Sequence, residues 1–158
     1  TLAALQFLSE GFRDRTIHKY YFCIVAGKVT EKVRLHGYLH KDEASNQVTI
    51  TKEARHQADY IETEYEPLAE GKNCTLLKVF LITGRTHQIR VHMASIGHPL
   101  LGDAVYGPKK CPVKNLQGQT LHAMVLGFIH PRTGAYMEFE APIPEYFSNL
   151  LLQFRKNV

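Results

Sequence analysis

A chain of 158 residues and 18.0 kDa holds one domain's worth of core, and 44% hydrophobic with 22% charged residues excludes disordered, collagen-like and coiled-coil classes. Its apolar runs fall far short of the roughly 20 residues a membrane span needs, so no transmembrane helix is expected. Net charge is +4, and three cysteines without CxxC spacing argue against a disulfide framework or a thiolate zinc site, which fits a reducing, cytoplasmic location.

Leu2, Leu5, Leu8 and Phe12 recur at helical spacing, predicting a helix over 2–13 that Gly11 helps to end. Strand formers run from Ile17 to Ala26, where Lys19, Tyr21, Cys23 and Val25 share one face. Further strands are expected at Val33 to Leu39, Gln47 to Thr51 and Tyr60 to Tyr65, with a polar turn around 42–46. Cys74 to Thr83 reads as a strand leading directly into a helix over His87 to Ile96, capped by Thr86 and closed by Gly97. Residues 98–119 read as a long connection, followed by strands at Leu121 to Ile129 and Ala135 to Ala141 and a last amphipathic helix over Glu145 to Phe154. Many hairpin-linked strands with few helices predict an α+β domain on a mixed, mostly antiparallel β-sheet. The N-terminal stretch places charge after its apolar part, so it does not read as a secretory signal.

Charge is unevenly spread. Asp42 to Glu70 holds eight acids against Lys52 and Arg55, whereas Gly84 to Arg132 holds Arg85, Arg90, Lys109, Lys110, Lys114 and Arg132 against Asp103 alone. That region suits a polyanion such as RNA, although an unevenly charged solvated surface explains the count equally well. The segment from Leu81 to Gly107 concentrates two arginines, three histidines and four glycines. At the start of a helix, Thr86, His87 and neighbouring amides could hold a phosphate, with Arg90 at i+3 from His87. Read alone, Arg90 fits a surface arginine of an amphipathic helix as well as a ligand-facing one. His87, His92 and His98 are spaced too irregularly to share a helical face, so a metal site is not expected. Cys23 and Cys74 read as small hydrophobes, no phosphate-cradling or nucleophile-elbow motif occurs, and Asp103 suits a turn better than an acid or base.

Thr83-Gly84-Arg85-Thr86-His87-Gln88-Ile89-Arg90-Val91-His92, with Gly97-His98-Pro99-Leu100-Leu101-Gly102-Asp103 and Tyr106-Gly107, resembles the signature of the RluA-type pseudouridine synthases. Arg15 to Tyr21, Thr63-Glu64-Tyr65, Leu121-His122-Ala123 and Phe128-Ile129-His130-Pro131 resemble further segments of that family in the same order. The resemblance implies an enzyme that breaks the N1–C1′ bond of a uridine in RNA, turns the base and rejoins it through C5, with no cofactor and no metal. It implies catalytic roles for Tyr21, which would stack on the target base and, given local help for its phenol, assist deprotonation at C5, and for Arg90, which would pair with a catalytic aspartate. Lys19, Arg85, His87, Gln88 and His92 would contact the RNA, a structured RNA and rRNA more than tRNA. The family's His-Arg-Leu-Asp motif is absent, and the chain opens on Thr1. Residues 1–158 are therefore expected to be the C-terminal part of a single catalytic domain, lacking the upstream segment with the catalytic aspartate and inactive alone. On this reading the carboxylate partner of Arg90 lies outside the chain. A non-catalytic RNA-binding module on the same scaffold is the alternative.

Overall fold

In a computed structural model that describes residues 1–155, seven strands form a single sheet in the order β3-β2-β4-β5-β1-β6-β7. They are β1 (His18–Ala26), β2 (Val33–Asp42), β3 (Gln47–Thr51), β4 (Asp59–Gly71), β5 (Cys74–Leu81), β6 (Leu121–Ile129) and β7 (Tyr136–Glu140), accompanied by helices α1 (Leu2–Arg13), α2 (Gln88–Ser95) and α3 (Glu145–Arg155). Every neighbouring pair is antiparallel. The expected α+β class is what forms, with no parallel pair among the described strands.

Side-chain alternation along the central strands builds two cores. Cys23, Val25, Leu77 and Val79 point to one face and pack with Tyr65, Ile89, Met93 and Leu100 beneath α2. Ile24, Cys74 and Leu76 point to the other and meet Phe147, Leu150 and Phe154 of α3. Both strand cysteines are therefore packing residues, and burial pushes the Cys23 thiol up, away from reactivity.

Two expectations need correction. Helix α1 spans the expected residues, Leu2–Arg13, but Gly11 does not help to end it: it lies buried inside the helix, where an added Cβ would sit 3.1 Å from Ile17. Strand β4 continues to Gly71, because Pro67 falls where the β4–β5 register shifts and its missing N–H breaks no regular ladder. The 98–119 connection is pinned to β1 at its start and end: Ala26 N–H donates to Pro99 O at 2.9 Å, Leu101 N–H to Ile24 O at 2.9 Å, and Thr120 Oγ1 to Ile24 O at 2.8 Å.

Helix α1 is the exception to burial. Leu2 is 71% and Leu5 62% exposed, and Phe12 is also exposed, so much of its apolar stripe is open to solvent.

Candidate active-site cleft

The strand-to-helix junction organises the cleft. Strand β5 ends at Leu81, and α2 begins after His87, which takes up left-handed backbone angles (φ 58°, ψ 12°) with no side-chain cap. The expected Thr86 cap is thus replaced by an uncapped, strained His87. Gln88 holds the junction. Its Oε1 accepts from Thr83 Oγ1 (2.8 Å) and Arg85 N–H (3.0 Å), and its Nε2 donates to Glu62 O and Thr63 Oγ1 at 3.0 Å. At its far end α2 closes as the sequence predicted: Gly97 N–H reaches Ala94 O, His98 N–H reaches Met93 O, and Gly97 has φ 83°.

A cleft of about 310 Å³ is lined by Tyr21, Arg85, His87, Gln88, Arg90 and Gln119, over an apolar floor that includes Leu121. Burial pushes the Tyr21 phenol up, so the neutral phenol presents a ring face and an O–H donor to the cleft. Arg85 is over half exposed and makes a 3.2 Å surface contact with Asp59 that water weakens. Lys19 stands next door: it lines a separate cavity beside Phe12, lies over that ring at 5.2 Å, and would sit 2.9 Å from a Cβ added at Gly84. Burial lowers its pKa.

Arg90 corrects the sequence reading most directly, because it has a partner within the chain. Its Nε donates to Asp103 Oδ2 at 2.7 Å and its Nη2 to Asp103 Oδ1 at 2.8 Å, with the carboxylate side chain fully buried. Oδ1 also accepts the N–H groups of Val105 (2.9 Å) and Tyr106 (3.0 Å). Burial raises the Asp103 pKa, but these hydrogen bonds and the Arg90 charge outweigh it and hold the carboxyl below its ordinary range. The turn expected at Asp103 does exist, and its carboxylate is aimed at Arg90 as well. Gly107 permits the turn, since a Cβ there would lie 2.1 Å from Asp103 O. Arg90 keeps Nη1, which has no hydrogen-bond partner among the described residues.

Two expected RNA contacts are turned inward. Gln88 and His92 are each 2% exposed, engaged with the backbone and side chains of the core. His92 Nδ1 lies 2.8 Å from Thr63 Oγ1, which also accepts from the Gln88 amide. Its Nε2 is buried without a partner among the described residues. Burial, helped by the His36 charge, lowers its pKa from 6.5 to about 4. A histidine kept neutral in the fold takes up a proton more readily when unfolded, so its stabilisation is complete above pH 6.5 and declines as pH falls toward 4. Denaturant unfolding should therefore show a loss of about 2 kcal/mol from pH 7 to pH 5 attributable to this ring, absent in His92→Gln. Equal pH dependence of the two proteins would refute it. The remaining histidines of the segment are also occupied separately, His98 Nδ1 against Ala26 O at 2.8 Å and His87 Nδ1 against Tyr106 Oη at 3.3 Å; no three metal-ligating side chains converge among the described residues.

Tyr106, Asp103 and Gln119 complete the site, and sequence reasoning assigned none of them to it. The first two lie in the Gly102-Asp103 and Tyr106-Gly107 part of the signature, which was the available signal; Gln119, in the Gly-rich connection, carried none.

A family model described as RNA pseudouridylate synthase matches residues 1–95. The chain is an RluA-type member of the RNA pseudouridylate synthase family. Over 146 residues it is 41% identical to the uncharacterized RNA pseudouridine synthase YlyB of Bacillus subtilis, covering 91% of this chain and 46% of that protein. Over 145 residues it is 39% identical to the ribosomal large subunit pseudouridine synthase D of Zymomonas mobilis, covering 87% and 45%. It thus spans about half the length of the curated relatives it matches. The solved structure of human RNA pseudouridylate synthase domain containing 4 shares its fold, with a TM-score of 0.75 at 22% identity over 95% of this chain and 67% of that one. No helix among the described residues is long and apolar enough to cross a membrane.

Proposed function

We propose that residues 1–158 are the C-terminal part of the catalytic domain of an RNA pseudouridine synthase acting on structured RNA, ribosomal RNA in the first place, and that the catalytic aspartate lies in an upstream segment. The observation that carries this reading is the divided guanidinium of Arg90. One edge is fixed by buried Asp103, Nη1 is left without a partner among the described residues, and Arg90 lines the same cleft as Tyr21. An arginine oriented in this way can take a second carboxylate without losing the first.

In the proposed mechanism the upstream aspartate is held by Arg90 and acts at C1′ while the N1–C1′ bond breaks. Tyr21 stacks on the flipped uracil as it turns to present C5, which bonds to C1′ in place of N1; the C5 proton is then lost to solvent water and N1 takes one up, so the base leaves with the same composition. Arg85, at the mouth of the cleft, anchors phosphate, and Lys19 adds positive charge from the adjoining cavity. The solvent-exposed part of the apolar stripe of α1 supports the presence of further polypeptide packed against it. The names of the ribosomal large-subunit relatives support rRNA as the substrate class.

Release of tritium from C5-labelled uridine in a large-subunit rRNA transcript tests the reading. The full-length protein should release it, and the 158 residues alone should not. Release by the 158-residue chain above a no-enzyme control would overturn the assignment of the aspartate to an upstream segment. Tight RNA binding by the full-length protein without release from any candidate transcript would favour the non-catalytic module.

A further inference from the structure

We infer that His87 is an uncharged hydrogen-bond donor, acting through Nε2 on a carbonyl oxygen of the pyrimidine base in the cleft, and that Tyr106 holds it in that tautomer. This assignment rests on the proposed isomerase reading and adds to it the way the base is recognised.

The argument begins with the Tyr106 hydroxyl. It accepts the Val48 N–H at 2.9 Å, which occupies one lone pair and leaves its own proton to be placed. The acceptor within reach of that proton, among the described residues, is His87 Nδ1 at 3.3 Å. A ring that accepts at Nδ1 carries its proton at Nε2. Because Nδ1 is turned to Tyr106, Nε2 is the ring nitrogen left for the cleft, where His87 stands with Tyr21 and Arg90.

The surroundings also oppose a charged ring. The groups facing His87 are Arg90 on α2, Asp103 and Tyr106 in the connection, and Lys41 at the end of β2. Burial, the Arg90 charge and the Lys41 charge lower the His87 pKa, and Asp103 offsets them only in part because its carboxylate is committed to Arg90. The Tyr106 ring also lies against the Arg90 guanidinium, whose carbon is 5.1 Å from the ring centroid, so a second cation would be crowded against the first. Phosphate attraction is already assigned to Arg85 and Lys19. An uncharged donor beside the stacking surface is matched instead to a base carbonyl, an acceptor that every uracil presents. The left-handed backbone of His87 is consistent with a residue held at this position for what its ring does.

Imidazole 15N chemical shifts of the full-length protein test the tautomer directly. They should show a His87 titration midpoint below that of a free imidazole, with the proton of the neutral ring on Nε2, and a Tyr106→Phe variant should move that midpoint back toward the ordinary range. A wild-type ring that titrates at or above the ordinary imidazole midpoint, or is protonated on Nδ1 when neutral, would overturn the inference. For recognition, His87→Ala should lower kcat/KM on the labelled RNA about tenfold, the size of one lost hydrogen bond. His87→Gln, which can donate without charge, should recover most of that loss, and His87→Lys should not. The salt dependence of RNA binding should have the same slope in wild type and His87→Ala. A slope shallower by about one counterion in the alanine variant, or rescue by lysine in place of glutamine, would make His87 a phosphate-binding cation. Failure of the wild-type protein to release tritium would count against the isomerase reading alone, because the 15N shifts and the salt slopes report the charge of His87 without turnover.

Discussion

Arg90→Lys in the full-length protein should reduce turnover by about three orders of magnitude while the domain still folds. A lysine keeps a positive charge beside buried Asp103, so the carboxylate is not abandoned as it would be in Arg90→Ala, where an unpaired buried charge costs about 3 kcal/mol or more. The loss lies in geometry. Nε and Nη2 face Asp103 in a planar fork, and Nη1 is available for a further acceptor on the same rigid group. An ammonium is a single point that moves toward one partner at the expense of the other. With Asp103 fully buried and fixed by two backbone N–H groups, the lysine would side with it and leave the proposed catalytic aspartate unheld. Single-turnover tritium release, with circular dichroism to confirm folding, measures the effect. Turnover within a few-fold of wild type would remove Arg90 from the proposed mechanism.

The elements of the fold were legible because each announced itself locally. Alternating strand formers ended at Gly27, the 121–129 strand was read to its observed ends, and Gly97 closed α2 through a geometry that needs positive φ. What could not be read was which polar side chains face inward. Gln88 and His92 stand four apart, on the same side of α2, and Thr63 receives both from the middle of β4. No local pattern tells that an amide will be drawn inward when the β4 groups that draw it lie 25 or more residues away. The Arg90–Asp103 pair was missed for a related reason. Asp103 fits a turn by sequence, and the turn is real, yet the same geometry that satisfies Oδ1 with Val105 and Tyr106 N–H groups also directs both oxygens at α2. Gln88 and His92 therefore contribute by fixing where α2 starts, which sets the positions of Arg85, His87 and Arg90.

The second large effect is expected at Asp103. In Asp103→Asn one oxygen can still accept from Val105 and Tyr106, but the amide nitrogen must then face Arg90 Nε, a donor against a donor. The negative charge is lost as well, leaving a guanidinium that is only 11% exposed without its counter-ion. Breaking one side of a buried pair in this way costs about 3 kcal/mol, which for a chain of this size lowers the melting temperature by on the order of 10 °C. If stability were the whole effect, any equally destabilising change would do the same to the enzyme. Leu150→Ala supplies that comparison, because Leu150 is buried on the α3 side of the sheet, away from the cleft. Assayed well below both melting temperatures, Leu150→Ala should keep its kcat. Asp103→Asn should lose about a hundredfold in kcat with little change in KM, because Arg90 is no longer aimed even when the domain is folded. Matching kcat values for the two variants would reduce Asp103 to a structural residue and leave the orientation of Arg90 without its stated cause.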